Sequence, residues 1–440
     1  MSFIAHIHHL LLDHCTRSEH DKARSFVQRQ RYIDQVSRIL TRSRLERRTE
    51  EQIWNLGWDK PFFSNIAAGT VGPYIEQARE AGVFDDREMV TSPRFMSEKM
   101  PGPQVIDAMA RGDLSGACAV PYRLERVQAY ARAVPQITQE VNRLHDDWSS
   151  GALNADEIQE RAVAIAADIG GGGGPIGKVN GFGFTTACHL LADLGLPVFK
   201  PDIWVCRIVS SLPGVQAEIR RAWRLSEDAP VPFDFLETKL LGTRASDAYR
   251  RIVQPVMNAI LKDSLKHDVA VTEFDLTPAF LQARFVDFTL VHFAISAETD
   301  VFGLERRPVD VLRAVGAPPV PAHLKALAHW LHAGQISHEA VMALKNAETK
   351  VRRAQSTEQR ERAQQRLARL SEPTALAQRD ELVTQAQAAR AAYEETAAAE
   401  NWKVDASYPD GFARRESSGA WAYKRAALAR RAQRQAEKPI

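Results

Sequence analysis

A glycine-rich turn and a lone carboxylate, about one helix apart, are the residues of this chain whose spacing could support chemistry. Residues 178–187 read Lys-Val-Asn-Gly-Phe-Gly-Phe-Thr-Thr-Ala, and residues 200–204 read Lys-Pro-Asp-Ile-Trp. A Gly-x-Gly turn that opens a helix exposes backbone N–H groups at the positive end of the helix dipole, which suits a phosphate. The carboxylate of Asp202 can then face a sugar held by that turn. The pattern favours chemistry on DNA.

Local signals predict the helices that position these residues. Residues 185–194 predict a short helix that stops at Gly195. Asp202 then caps a helix that runs towards Leu212, where Pro213-Gly214 ends it. Upstream, residues 121–146 and 154–168 have helical patterns, and the five glycines of 170–174 favour neither helix nor strand.

The residues from 178 to 212 resemble the helix-hairpin-helix DNA glycosylase superfamily. Val179-Asn180-Gly181-Phe182-Gly183 stands for the family's hairpin, Thr186-Ala187 for its helix start, and Asp202 for its aspartate, while Ile203, Trp204 and Arg207 match the flanking pattern. Two residues depart from it. Asn180 replaces the usual proline, and Thr185 stands where bifunctional members carry a Schiff-base lysine.

The resemblance implies a monofunctional DNA glycosylase. Such an enzyme hydrolyses the N-glycosidic bond of a damaged or modified base and leaves an abasic site, without lyase activity. Asp202 would stabilise the oxocarbenium character of the sugar and activate the attacking water. We expect DNA contacts from the hairpin and its surroundings, namely Lys178, Asn180, Gly181, Gly183, Thr185 and Thr186.

Aromatic side chains are candidates for the walls that hold a flipped base, because every base can stack on an aromatic face. The candidates are Trp54, Trp58, Phe62, Phe63 and Trp204. Such clusters are more often part of a hydrophobic core, so both interpretations of them stay open.

We expect a mainly α fold: a two-lobed helix-hairpin-helix glycosylase core with an added basic, helical C-terminal region. The 440 residues favour two or three domains. We place an N-terminal helical lobe at 1–150, the glycosylase region at 151–317 and the extension at 318–440, with Pro318-Pro319-Val320-Pro321 as the linker.

Further patterns lie outside the motif. Residues 24–47 have helical spacing, 285–295 form an apolar segment of either type, and 323–346 predict two helices broken at Gly334. Residues 347–400 have the composition of long exposed helices or a coiled coil. Residues 411–440 carry eight Lys and Arg.

The expected partner is DNA, double-stranded or locally opened, with a modified base flipped out. The net charge is only +2, so a DNA-binding surface must come from local clusters of charge. We expect no metal, no cofactor and no membrane span, and the four distant cysteines suggest reduced thiols and a cytoplasmic protein. The sequence leaves the oligomeric state open.

The sequence also allows other interpretations. Asp202 could be an ordinary helix cap, and the hairpin could bind DNA without chemistry. Gly172 to Lys178 spells most of a phosphate-binding loop, but Val179 stands where a Ser or Thr should reach Mg²⁺. Among glycosylases, base repair competes with a bacterial defence branch that removes hypermodified cytosines from phage DNA.

Overall fold

A computed structural model describes residues 3–17, 35–36, 38–39, 43–63, 121–232, 234–240, 245–266, 279–298 and 321–402. Regular structure in these ranges is helical, and no strand occurs in them. The mainly α class is therefore confirmed for the described residues, while the two-lobed arrangement and the domain limits stay predictions. None of the described helices is both long and apolar enough to cross a membrane.

The N-terminal part is built on a long helix that a shorter one covers. Helix α1 spans Phe3–Arg17, α2 spans Glu50–Gly57 and is followed by a 3-10 turn at Lys60–Phe63, and α3 spans Pro121–Ser149. Helix α2 packs against α3. The predicted helix over 24–47 lies mostly outside the described residues, and its last five residues, 43–47, are irregular.

The predicted helices around the hairpin are confirmed. Helix α4 spans Ala155–Gly171, α5 spans Phe184–Asp193 and α6 spans Ile203–Ser211. The expectation that 170–174 avoid helical structure is wrong at its start, because Gly170 and Gly171 form the last residues of α4. A Cβ atom at Gly170 would lie 2.7 Å from the backbone nitrogen of Phe184. Glycine at 170 therefore lets the end of α4 approach the start of α5.

A run of shorter helices leads from α6 to a central apolar helix. These are α7 (Val215–Trp223), α8 (Phe235–Leu240), α9 (Ala245–Ala248), a π-helical turn (Tyr249–Val253) and α10 (Gln254–Lys266). The apolar segment 285–295 is helical, within α11 (Ala279–Glu298), which packs against α1, α6 and α10. The side chains of residues 283–297 are buried or half-buried on every side of the helix, which fits a helix in the interior of the core.

Residues 321–402 contain three helices: α12 (Ala322–Arg353), α13 (Thr357–Leu370) and α14 (Pro373–Ala399). The predicted break at Gly334 is wrong, because α12 runs through it. Gly334 is buried, and packing against neighbouring helices outweighs the roughly 1 kcal/mol that glycine costs inside a helix. The prediction of long helices over 347–400 is confirmed, and α12 packs against α11, α13 and α14.

Aromatic and polar contacts join the C-terminal helices to the rest of the chain. Trp402 stacks on Phe3 with ring centroids 4.4 Å apart, and Arg390 donates to the carbonyl of Val231 at 3.0 Å. The basic residues of 411–440 lie outside the described residues.

Candidate functional site

The hairpin between α4 and α5 is a tight turn that requires glycine at one position. The N–H of Val179 donates to the carbonyl of Ile169 at 2.9 Å, and the N–H of Phe182 donates to that of Val179 at 3.1 Å. Gly181 has a φ of +92°, and a Cβ atom there would lie 2.5 Å from the Cβ of Arg126. Glycine is therefore required at position 181 for two reasons: the φ angle is positive, and there is no room for a Cβ atom.

Gly183 has a different role, since it precedes α5 and has an ordinary extended backbone. Its φ is −87°, no side chain caps the helix from it, and a Cβ atom added there would meet nothing within 4 Å. The N–H groups that begin α5 thus form a helix N-terminus without a side-chain cap, beside an exposed glycine. Such an end can accept an anion.

The other predicted DNA-binding side chains surround this turn. Lys178 and Asn180 are exposed, and Thr185 and Thr186 are half-buried. The hydroxyl of Thr185 donates to the carbonyl of Pro201 at 3.2 Å. Thr185 therefore connects the first turn of α5 to the residue just before Asp202.

Asp202 uses its two carboxylate oxygens differently. Oδ1 accepts the N–H groups of Trp204 and Val205, both at 3.0 Å, and so caps α6. Oδ2 lies 3.4 Å from the Nζ of Lys200. The side chain is 13% exposed. Asp202 is thus a helix cap, as the simpler interpretation holds, yet one oxygen is not used by the cap and the side chain is not sealed from solvent.

Behind Asp202, the backbone of Lys200 rests on a buried carboxylate. The N–H of Lys200 donates to Oδ1 of Asp287 at 3.1 Å, and Nη1 of Arg284 donates to Oδ2 of Asp287 at 2.5 Å. The side chain of Asp287 is 0% exposed. Burial raises the pKa of Asp287 to about 7; Asp202 acts in the same direction, and Arg284 acts against both.

The polar contacts continue from Arg284 to the N-terminal part of the chain through Asp193. Oδ1 of Asp193 lies 3.0 Å from Nη2 of Arg284, and Oδ2 lies 2.6 Å from the Nζ of Lys60 and 3.3 Å from Nε2 of His189. Burial raises the pKa of Asp193, but Lys60, His189 and Arg284 outweigh it and hold that pKa well below its usual range.

Among the groups of this cluster, the imidazole of His189 is the one whose ordinary pKa in water, about 6.5, lies closest to 7. Burial lowers the pKa of His189 well below its usual range, and Lys60 adds to the effect, so the ring is neutral at pH 7.

We call Lys60, His189, Asp193, Arg284 and Asp287 the polar chain. Clusters of ionisable groups with shifted pKa values occur preferentially at functional sites.

Sequence reasoning missed the whole polar chain, although two signals were available. His189 and Asp193 are four residues apart on α5, so they share a face. Arg284 and Asp287 lie in a largely apolar helix, and buried charges in such a position need partners. That Lys60 joins them could not be read from spacing.

The glycine-rich loop that follows α4 is held by an internal carboxylate. Asp168 accepts the N–H groups of Gly174 at 2.5 Å, Ile176 at 2.8 Å and Gly177 at 3.2 Å. A phosphate-binding loop would need such amides for its ligand, and would follow a strand, whereas this one follows the helix α4. The loop is therefore better described as a structural turn built on Asp168.

The structure contradicts the base-pocket interpretation for two of the five aromatic candidates. Trp54 and Phe62 are both 0% exposed, and Trp54 stacks on Tyr130, which stacks in turn on Phe182 of the hairpin. These rings belong to the core that supports the hairpin, because packing inside the fold covers both faces that a base would need. Trp58 is half-buried, and the side chain of Phe63 lies outside the described residues.

Trp204 remains beside Asp202 and is half-buried. The guanidinium of Arg207 lies 5.0 Å from the centroid of its ring. Arg207 also pairs with Glu237 at 3.2 Å and donates to the side chain of Gln335 on α12. The helix that begins at Asp202 is thereby joined to the C-terminal helices.

Metal-binding residues do not cluster in the described ranges, where no group of three His, Cys, Asp or Glu could hold an ion. Cys188 and Cys206 are free and buried. Cys118 lies outside the described residues, as does the side chain of Cys15.

Comparison of the chain with protein-family models, with curated proteins and with solved structures finds no match in any of the three. The resemblance to DNA glycosylases therefore rests on residues 178–212 and on the geometry around Asp202, and the function is a proposal.

Proposed function

We propose that this chain is a monofunctional DNA glycosylase that hydrolyses the N-glycosidic bond of a damaged or modified base. The observation that carries the proposal is the carboxylate of Asp202. One of its oxygens is held by two helix amides, the other is not used by the cap, and the side chain keeps 13% of its surface exposed.

The proposed reaction uses that second oxygen. As the C1′–N bond breaks, positive charge develops on the sugar, and the carboxylate of Asp202 stabilises it. Water then forms the new bond to C1′ and gives a proton to Asp202. The departing base takes up a proton from solvent, and Asp202 later returns its own proton to solvent, so the carboxylate is regenerated. The amides that hold Oδ1 keep the carboxylate oriented before the substrate arrives, and such preorganisation is what electrostatic stabilisation requires.

The hairpin would bind the DNA backbone next to the reacting nucleotide. Gly181 and Gly183 allow close approach of a phosphate to the first turn of α5, and Lys178 and Asn180 are exposed beside it. The hydroxyl contact from Thr185 to Pro201 connects this phosphate grip to the Asp202 segment, so the two would move together.

The absence of a lysine at position 185 supports a product with an abasic site and an intact strand. Lys200 is close to Asp202, with its Nζ at 3.4 Å from Oδ2, and it is the amine to test for a covalent intermediate. Its proposed role is to pair with the carboxylate before DNA binds.

An Asp202→Asn variant tests the proposal sharply, because Asn caps helices as well as Asp does. The variant keeps the cap of α6 and removes the negative charge. We expect base release to fall by about 100- to 1000-fold, the usual loss when one preorganised electrostatic group is removed. DNA affinity and the free energy of unfolding should stay close to those of the wild type.

The assay measures abasic sites, by alkaline strand cleavage, in duplexes that carry alkylated, deaminated or sugar-modified bases. A matched control is Asn154→Asp, which makes the reverse exchange at the cap of α4 and should leave the rate unchanged. Base release by Asp202→Asn at the wild-type rate would exclude Asp202 as the catalytic group.

A non-catalytic DNA-binding protein is the second candidate function. The observation in its favour is that Asp202 already has a structural task as the cap of α6. This alternative predicts that the wild type binds DNA but forms no abasic sites on the whole panel. Mass spectrometry of released bases would separate repair of damaged bases from removal of modified cytosines in phage defence.

A further inference from the structure

The strongest concentration of positive charge among the described residues lies far from the hairpin in sequence. Residues 345–370, which include the end of α12, the turn after it and the whole of α13, are named the basic tip. It contains eight Lys and Arg and three Glu, a net charge of +5, although the whole chain carries only +2. The rest of the chain therefore carries a net charge of −3. The eight cations are Lys345, Lys350, Arg352, Arg353, Arg360, Arg362, Arg366 and Arg369.

All eight cations of the basic tip are exposed. Two of the arginines have acidic neighbours on the same helix: Arg352 lies 3.9 Å from Glu348, and Arg362 pairs with Glu358. These pairs are on the surface, so they hold the side chains only weakly and a phosphate can compete for them.

The helix α13 contributes little to the core. Ala363 is its one buried residue, and the helix stays in place by packing against α12 and, less, against α14. Its four arginines, Arg360, Arg362, Arg366 and Arg369, are spread over three turns. A helix that buries so little, and carries this much charge of one sign, is better suited to bind a partner than to stabilise the fold.

Helix α12 connects the basic tip to helix α6, the helix that Asp202 caps. Arg207 of α6, five residues after Asp202, donates to Gln335 of α12. Along α12, Lys345 lies ten residues after Gln335, and Arg353 lies eighteen residues after Gln335. These separations correspond to about 15 and about 27 Å along the helix axis. About ten base pairs of B-DNA span a similar length, about 34 Å.

We infer that the basic tip binds the phosphate backbone of duplex DNA that flanks the nucleotide at Asp202. Guanidinium groups bind phosphate oxygens in pairs and remain charged at every physiological pH. Phosphates recur at regular intervals along both strands, so a row of arginines can bind them without contacting the bases. The choice of DNA as the polyanion rests on the proposed function, whereas the charge and exposure of the surface do not.

A fourfold variant, R360Q/R362Q/R366Q/R369Q, tests the inference. Gln has nearly the helix propensity of Arg, so α13 should persist, and circular dichroism checks that it does. Affinity for an unmodified duplex is measured by fluorescence anisotropy over a series of salt concentrations. Each lost phosphate contact should lower the slope of log K against log salt by about 0.9, so loss of two or more contacts lowers it by about 2 or more. At 0.1 M salt the affinity should fall by at least about tenfold.

The matched control removes four exposed arginines elsewhere, in R143Q/R161Q/R221Q/R251Q. It changes the net charge equally, and its salt slope should stay at the wild-type value. Equal weakening in both variants would assign the effect to net charge and overturn the inference. So would an unchanged slope in the α13 variant, an absence of wild-type binding to duplex DNA, or a slope change seen only with RNA of the same length.

The result of this DNA-binding experiment can be distinguished from the result of the abasic-site assay that tests the proposed function. Wild-type DNA binding that depends on α13, without abasic sites on any substrate, would refute the glycosylase and support the basic tip. Abasic sites formed with an unchanged salt slope would support the glycosylase and refute the basic tip.

Discussion

Asp287 offers the sharpest physical prediction, because its buried carboxylate should make the stability of the protein depend on pH. In the folded protein burial raises the pKa of Asp287 to about 7, whereas an aspartate in an unfolded chain has a pKa of about 3.9. Between these two values the folded state holds the proton more tightly than the unfolded state does. The stabilising contribution is therefore complete below about pH 4 and is lost as the pH rises to about 7.

The size of the effect follows from the same two values. Each pH unit in that window should lower the free energy of unfolding by about 1.4 kcal/mol, which gives about 4 kcal/mol over the whole window. The side chain is 0% exposed, so solvent screening does not reduce this value much. Asp287→Asn removes the titration and keeps an oxygen for the N–H of Lys200.

The measurement is urea-induced unfolding of the wild type and the variant at pH 5, 6, 7 and 8. Relative to the wild type, Asp287→Asn should gain about 2 to 3 kcal/mol between pH 5 and pH 7 and nothing further above pH 7.5. The exposed Asp380 provides the control, and its Asn variant should differ from the wild type by less than about 0.5 kcal/mol at every pH. A difference between Asp287→Asn and the wild type that stays constant from pH 5 to pH 8 would refute the reasoning.

The remaining predictions concern the hairpin and the reaction. Asp202→Asn should lower base release by about 100- to 1000-fold at unchanged DNA affinity, as measured by abasic-site formation. Thr185→Val removes the hydroxyl contact to the Asp202 segment and should lower the maximal rate more than it lowers DNA affinity, a split that single-turnover kinetics measures. Gly181→Ala should destabilise the protein by about 1 to 3 kcal/mol, because its φ is positive and its Cβ would clash, whereas Gly183→Ala should leave stability nearly unchanged and weaken DNA binding, as chemical denaturation and anisotropy would determine. Borohydride should trap no covalent DNA adduct with the wild type, and an adduct that disappears in Lys200→Gln would contradict the monofunctional mechanism.

The parts of the structure that the sequence predicted well are those that short-range chemistry determines. Gly195 ends α5 and Asp202 caps α6, because backbone conformation and capping depend on a few neighbouring residues. The helical class was predictable for the same reason, because the helical spacing of apolar residues is also a local pattern. Gly334 shows where this reasoning stops, since glycine disfavours a helix locally while burial between helices keeps α12 continuous.

The polar chain could not be predicted, because its members come from separate parts of the sequence. Lys60 and Asp193 are 133 residues apart, and Arg284 follows Asp193 only after several further helices. Trp54 shows a related difficulty, because its residue type alone does not determine its role. Its residue type suits both a base pocket and a core, and the tertiary packing against Tyr130 decides between them. Contacts at such separations depend on how helices pack, which local patterns do not encode.

The two interpretations of Asp202 do not exclude each other, since they use different oxygens. The cap fixes Oδ1 on the amides of Trp204 and Val205, and a planar carboxylate held at one oxygen has its second oxygen oriented as well. Lys200 faces that second oxygen, and the backbone of Lys200 is anchored on Asp287. Protonation of Asp287 would therefore change the charge next to the Asp202 segment without touching the substrate. If base release depends on pH with an apparent pKa near 7, loss of that dependence in Asp287→Asn would assign it to the polar chain, and its persistence would exclude Asp287 as its source.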